Sequence, residues 1–393
     1  MNLGIVASIS CRRAYSLRML RWTLFIFAWL FFGLSLLTVF KSPDWNVWQL
    51  ALLAGEYGHV MAWVTAGMAA TALVTRQGWG MLWPVTFTIC GLATLLFLKP
   101  TIEAFSVGER ARTELDRIGA PASPSRPFSI AGYFQPDEAE VPMKTLRYAD
   151  ALELDFYGAI GRSPAPCVVV VHGGGWDSGN RGQLTGLNHW LARRGYAVAA
   201  ISYRLAPRFI WPAQRDDLLA ALAYLKRHAE ELGVDPRRLV LLGRSAGGQI
   251  AETVAYAAHD DSIRGVVGIY APSDLRFAYK YSRDDDVLKS PALIRRFLGG
   301  APDTAGGNFD SATALRQVST GSPPTLLIHG ENDTLVWHRH SVRLEALLEQ
   351  ARVPCVLVSL PWATHAFEYN LHGPGGQLTT YALERFLAKV TAE

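Results

Sequence analysis

The stretch Arg238-Leu-Val-Leu-Leu-Gly243-Arg-Ser245-Ala-Gly247-Gly248-Gln-Ile-Ala251 decides how the rest of the chain is read. Arg238–Leu242 is a short, nearly continuous apolar run, as a strand buried on both faces of a parallel sheet should be. The residues after Ser245 predict a helix from Ala246 to Ala258. Between them, Gly243-Arg-Ser-Ala-Gly247 matches G-x-S-x-G in the context that motif requires, a strand before and a helix after. A serine on so tight a turn needs small neighbours two residues to either side, and Gly243 and Gly247 are those neighbours. The turn lifts the hydroxyl out of the sheet and sets a helix N-terminus beneath any negative charge developing there. Without the strand and helix the pentapeptide is a weak signal; with them Ser245 reads as a nucleophile.

Outward from this stretch, β-like and helix-like segments alternate. Leu152–Tyr157, Cys167–Val171, Tyr196–Ser202, Gly265–Tyr270, Thr325–His329 and Cys355–Leu360 read as strands. Pro212–Glu231 shows helical spacing, with Leu218, Leu219, Leu222 and Leu225 on one side; Ser341–Gln350 and Gln377–Ala392 also read as helices. This alternation implies an α/β fold with a doubly wound, mostly parallel sheet, whose site lies at the carboxyl ends of the strands. His172-Gly-Gly-Gly-Trp176 follows one such end. Bare glycine backbone can bring N–H groups close to a reacting carbonyl. A phosphate-binding loop would need G-x-G-x-x-G or G-K-[ST], and neither is present. His172 reads as a support for the loop.

A serine hydroxyl needs a base, and the base needs a carboxylate to orient it. In this architecture the chain order is Ser, Asp/Glu, His. Thr325–His329 runs into Gly330-Glu-Asn-Asp333, so Asp333 is the expected acid and Glu331 a weaker rival; Asp303 and Asp310 read as surface. Cys355–Leu360 runs into Pro361-Trp-Ala-Thr-His365, so His365 is the expected base. His338 and His340 flank Arg339 before a helix start and read as solvent-exposed, and His372 lies in a Gly-Pro turn region. Residues 271–311, an insertion holding Phe277, Tyr279 and Tyr281, are the expected seat of substrate choice. Trp176, Phe209 and Trp211 are candidate substrate-binding side chains, with core packing the equal alternative.

Of the 393 residues, 50 % are hydrophobic and 18 % charged, against about 25 % charged in a soluble protein. The deficit sits in residues 1–99, which read as a membrane domain. Residues 22–40 and 79–98 are apolar runs near the length of about 20 residues that spans a bilayer. Residues 58–75 form a shorter third run, whose Ala66, Gly67, Ala69 and Ala70 would admit a close neighbour helix. Three transmembrane helices are therefore expected. No small-x-small cleavage site follows the first at Lys41-Ser-Pro-Asp44, and Cys11 has Ser8, not Leu, three residues before it. Arg12, Arg13, Arg18 and Arg21 precede the first span, only Lys41 follows it, and Arg76 precedes the last. With three spans, these cations put the N-terminus inside and the large domain outside, in the periplasm or beyond; without the middle span the large domain returns inside. Glu56 and His59 read as interfacial.

Charges return after Pro100, and Ala120-Pro-Ala-Ser-Pro-Ser-Arg-Pro127 suits an extended linker. A short helix over Val107–Ile118 is expected, with residues 100–140 as linker and 141–393 as the second domain. The net charge of +4 comes without a basic stripe bearing interleaved aromatics, which argues against a nucleic-acid partner. The four cysteines, at 11, 90, 167 and 355, form no CxxC pair and no metal spacing. Cys167 and Cys355 read as small buried hydrophobes, and a disulfide between them stays open.

Three motifs then combine: His172–Trp176, Gly243–Gly248, and Tyr203-Arg-Leu-Ala-Pro207 followed by Trp211-Pro-Ala-Gln214 and Asp216-Asp217. On them, residues 145–392 resemble the hormone-sensitive-lipase-like branch of the α/β-hydrolases, and are similar to feruloyl-esterase-like and acetyl-esterase-like bacterial members. The resemblance implies a carboxylester hydrolase needing no metal or organic cofactor. By motif position it implies the triad Ser245, Asp333 and His365, with the N–H groups of Gly174, Gly175 and Ala246 as the oxyanion hole. The chain departs from the family in having Arg208 after Leu-Ala-Pro, where Glu is common, and His365-Ala366-Phe367 for His-Gly-Phe. The expected substrate is an ester, either a small molecule or linked to lipid or polysaccharide. An amidase or formamidase, an acyltransferase, and a membrane-tethered binding module are the alternatives.

Overall fold

A computed structural model describes residues 3–392, with side chains described from Tyr15 onward. Arg12 and Arg13, used above for topology, and Cys11 lie outside the described side chains. The chain divides into two compact units, up to Glu103 and from Ala104 on.

The first unit is helical: α1 (Leu3–Ser35), α2 (Trp45–Glu56), α3 (Gly58–Val74) and the start of α4 (Leu82–Arg117). Two helical stretches, Tyr15–Thr38 and Leu82–Arg117, are long and apolar enough to cross a membrane. The expected middle span differs from expectation. Residues 58–75 are one limb of a pair, α2 and α3, bent by 83°. Asp44 caps α2, its Oδ1 accepting from the N–H groups of Asn46 (2.9 Å) and Val47 (3.0 Å). Gly58 starts α3 where a Cβ would lie 2.5 Å from the carbonyl oxygen of Phe97, so α3 and α4 touch backbone to backbone. Glu56, expected at the interface, is instead buried, 1 % exposed, at the break between the limbs.

The second unit is built on one eight-stranded sheet: β1 (Met143–Ala149), β2 (Leu152–Tyr157), β3 (Ala165–Val171), β4 (Ala197–Ile201), β5 (Val234–Arg244), β6 (Ile263–Ile269), β7 (Thr325–Gly330) and β8 (Cys355–Leu360). Their order is β1-β2-β4-β3-β5-β6-β7-β8. The first two pairings are antiparallel and the remaining five parallel. Helices α5 (Thr185–Arg193), α6 (Ala213–Arg227), α7 (Ala229–Leu232), α8 (Ala246–Ala257), α9 (Leu275–Tyr281), α10 (Ser290–Leu298), α11 (Gly306–Ala312), α12 (Arg339–Gln350) and α13 (Pro374–Val390) complete it. The expected helix Pro212–Glu231 is thus two, broken at His228.

Successive residues of the central strands feed opposite layers, which is why those strands read as unbroken apolar runs. Val169, Val171, Leu239 and Leu241 join α6, α8 and α12 in one core. Val168, Val170, Val240 and Leu242 join α5 and α13 in the other. That second core also takes Ala104, Val107, Ala111 and Leu115 of α4, then Ala120, Phe128 and Val141. Residues 104–141 are therefore a strap packed on the sheet domain, not a free linker, and the boundary falls near 104 rather than 140. Arg385, 2 % exposed on α13, fixes the strap. It donates to the carbonyl oxygens of Ala120 (2.7 Å) and Pro121 (2.8 Å) and to Asp116 (2.7 Å).

Candidate active site

The site assembles at the carboxyl ends of β3, β5, β7 and β8, where a doubly wound sheet opens its crevice. β5 delivers Ser245 with φ 51° and ψ −123°, a conformation costing a non-glycine residue about 1–3 kcal/mol. Close packing holds it there. A Cβ on Gly243 would lie 2.2 Å from the carbonyl oxygen of Gly247, and one on Gly247 2.3 Å from those of Val171 and His172. The Ser245 N–H donates to Ile269 of β6 at 2.9 Å. α8 begins at the next residue, so Ala246 offers a first-turn N–H without an intrahelical acceptor.

β7 and β8 deliver the expected acid and the expected base, and the loops after them are stitched together. Glu331 N–H donates to Leu360 O at 2.9 Å and Asn332 N–H to Ala363 O at 3.1 Å. Asp333 is fully buried. Its Oδ1 accepts from the N–H groups of Leu335 (2.8 Å) and Val336 (2.9 Å). Its Oδ2 lies 2.6 Å from His365 Nδ1 and 3.5 Å from His329 Nε2. Burial pushes the Asp333 carboxyl upward, but the charges and hydrogen bonds of His365 and His329 outweigh it and hold the group well below the usual carboxylate range. A carboxylate on Nδ1 fixes the tautomer that leaves Nε2 as acceptor. Glu331 points to solvent.

The glycine loop packs against the expected nucleophile: a Cβ on Gly173 would lie 3.3 Å from Ser245 Cβ. Gly173 N–H is taken by Gln183 Oε1 at 2.8 Å. The next residues, Gly174 and Gly175, turn through positive φ of 117° and 59°. Among the described residues, none accepts from the Gly174 or Gly175 N–H. His172 lies under this loop, its ring stacked 4.2 Å from that of Tyr203. Burial lowers it to about 4, so it stays neutral and supports the turn.

Other expected residues fall elsewhere. Trp176 stacks on Phe297 of α10 at 4.4 Å and donates to Gln249 at 2.8 Å. Trp211 is completely buried, its indole N–H donating to Ser311 at 3.0 Å, so it packs beneath Phe297 rather than facing an opening. Phe209 is half-buried between the guanidiniums of Arg204 and Arg208, each 5.3 Å from its ring. His340, read as exposed, is buried and accepts from Asp274 N–H at 3.2 Å, while His338 meets Ser359 at 2.8 Å. Asp310 pairs with Arg276 at 2.6 Å and His372 with Asp137 at 3.0 Å. Cys167 and Cys355 are buried free thiols, so the open disulfide is not formed. Burial pushes Cys167 up to about 12. Among the described residues, no three His, Cys, Asp or Glu side chains gather to hold a metal.

Sequence reasoning missed an ion pair behind the site: Arg244 Nε donates to Glu368 Oε1 at 2.9 Å, both side chains fully buried. Its only sequence signal is a charge beside the nucleophile and another three residues past the base.

The family model described as BD-FAE matches residues 154–348. Among curated proteins, the probable carboxylic ester hydrolase LipM of Mycobacterium tuberculosis is 32 % identical over 58 % of this chain and 55 % of its own. Ethyl acetate hydrolase of Pseudomonas putida is 32 % identical over 51 % of this chain and 65 % of its own. The chain thus spans between about half and two thirds of the length of these relatives. A solved bacterial heroin esterase shares the fold, with a TM-score of 0.57 at 24 % identity, over 74 % of this chain and 93 % of its own. The sheet order and the likeness to that solved structure show an α/β-hydrolase fold. In sequence, the similarity is to carboxylic ester hydrolases.

Proposed function

We propose that the protein is a membrane-anchored carboxylesterase working through an acyl-enzyme on Ser245. The observation carrying this reading is the contact of 2.6 Å between His365 Nδ1 and a fully buried Asp333, at the crevice where the elbow presents its serine. The Nε2 of His365 takes the Ser245 proton as the oxygen attacks the ester carbonyl. Negative charge then gathers on the carbonyl oxygen, where the N–H groups of Gly174, Gly175 and Ala246 receive it. Losing one such donor typically costs about 10²–10³ in kcat. The alcohol leaves with the proton from His365, and water, deprotonated by the same ring, releases the acid and restores Ser245.

The apolar stretches Tyr15–Thr38 and Leu82–Arg117 support the anchor. Taking the bent pair α2–α3 as one broken span gives three crossings, and the arginines before the first then direct the hydrolase to the outer side. The test is turnover of p-nitrophenyl acetate, butyrate and decanoate by the full chain in detergent beside Ser245→Ala. Serine-dependent turnover is expected. Folded protein with full activity in Ser245→Ala would sink the assignment, and cleavage of amides in preference to esters would move it to an amidase.

A further inference from the structure

The triad leaves a buried charge cluster beside it without a task. Arg244, the residue before the nucleophile, has a side chain 1 % exposed, and Glu368, three residues after the base, 0 %. Arg244 Nε and the Tyr270 hydroxyl both donate to Glu368 Oε1. The Tyr270 ring in turn lies against the His365 imidazole, centroids 4.1 Å apart, and meets Phe367 edge-on at 5.4 Å. Tyr270 is itself held at φ 44°, its N–H donating to Ile328 O at 2.8 Å. One continuous set of contacts thus runs from the elbow through Arg244, Glu368 and Tyr270 to the face of the base.

As a stabilising device the cluster is poor. Burying two charges costs several kcal/mol per ion before their attraction is counted. Among the described residues, Arg244 Nη1 and Nη2 and Glu368 Oε2 have no hydrogen-bond partner. Apolar side chains of similar volume would serve folding as well or better. What apolar contacts lack is direction. A guanidinium and a carboxylate meet at fixed angles, and this pair joins the end of β5 to the turn after His365, 124 residues on in sequence. Misplacing a reacting group by about 1 Å costs about 10²-fold in rate.

We propose that Arg244 and Glu368 are positioning residues, whose ion pair, relayed by Tyr270, sets the orientation of His365 relative to Ser245. This rests on the serine-hydrolase reading of the triad.

The test measures the rate at which a fluorophosphonate labels Ser245 in the full chain, with kcat and KM on p-nitrophenyl acetate normalised to titrated active sites. The variants are Glu368→Ala, Glu368→Gln and the double variant Arg244→Met with Glu368→Met. The double variant leaves no unpaired buried charge, so it is expected to unfold at or above the wild-type temperature. Its labelling rate and kcat per active site are expected to fall about 10–100-fold, with KM little changed. Glu368→Ala should fall likewise, while Glu368→Gln, which still accepts from Tyr270, should recover most of the rate. A folded double variant labelling at the wild-type rate would overturn the proposal. So would a loss that titration assigns wholly to fewer active sites, since that is a folding effect. Absence of labelling in the wild type would overturn the serine-hydrolase reading and this one together, so the wild-type control tells the two failures apart.

Discussion

Asp333 holds its charge without solvent because two backbone N–H groups and two imidazoles face it. Asp333→Asn keeps the shape but turns His365 to the wrong tautomer, and kcat should fall about 10⁴-fold with the fold intact; a variant keeping a tenth of the wild-type kcat would exclude that role. Glu252 on α8 is the opposite case. Burial pushes its carboxyl up to about 8, tempered by the Ser273 hydroxyl. Its carboxylate also explains a glycine in β6, since a Cβ on Gly268 would lie 2.0 Å from Glu252 Oε1. With the folded value above the unfolded one, the native state keeps a proton that the unfolded chain gives up. That stability is complete below the ordinary glutamate range and is lost as pH rises toward about 8. The unfolding temperature should fall over that window, and Glu252→Gln should flatten the fall; an unchanged slope in the variant would show that another group titrates. The proposed triad was legible as candidates because strand, turn and chain order all point at the same three residues, and the structure pairs two of them, Asp333 and His365. The Arg244–Glu368 pair was not, because no spacing rule links a strand end to a turn 124 residues later.

At the level of elements, the strap over residues 104–141 decides how much chain the sheet domain requires. Its helical part was legible only in place: the short helix expected over Val107–Ile118 is the end of α4, which runs unbroken from Leu82 to Arg117. Its Pro/Ser part was not, because a polar run bound to a surface has the composition of a free one. Here Ser123 donates to Glu384 at 2.8 Å, Ser129 N–H to Gln377 at 3.0 Å, and Pro127 packs where Gly108 lacks a side chain. Removing the strap uncovers the site it shares with Leu378 and Tyr381, and each large apolar side chain left bare costs about 1.5–3 kcal/mol. A chain beginning at Ala104 should therefore fold and melt cooperatively, whereas one beginning at residue 140 should aggregate or melt at least several degrees lower. Equal melting temperatures for the two would show that the strap is dispensable. Edge strand β1 was also missed: its pattern is largely exposed and its sequence, Met143-Lys-Thr-Leu-Arg-Tyr-Ala149, carries two cations.

Across the whole molecule, the sheet was written in the sequence because its central strands are buried on both faces. The bend of 83° at Tyr57 was not, since hydropathy records how apolar a segment is and says nothing of its direction. Nor were the helices of the insertion, α9 to α11, whose sequence mixes charges with aromatics. The insertion reaches the glycine loop all the same: Leu293 of α10 lies 3.1 Å from where a Cβ on Gly175 would stand, and Arg296 pairs with Asp177 at 2.8 Å. The grip of Arg385 on Asp116, Ala120 and Pro121 has a consequence for how such a gene can be recombined. A crossover inside the proline-rich tract would leave a buried guanidinium facing foreign carbonyls. A viable exchange of the first unit has its junction upstream of Ala104, so residues 104–141 are inherited with the sheet domain.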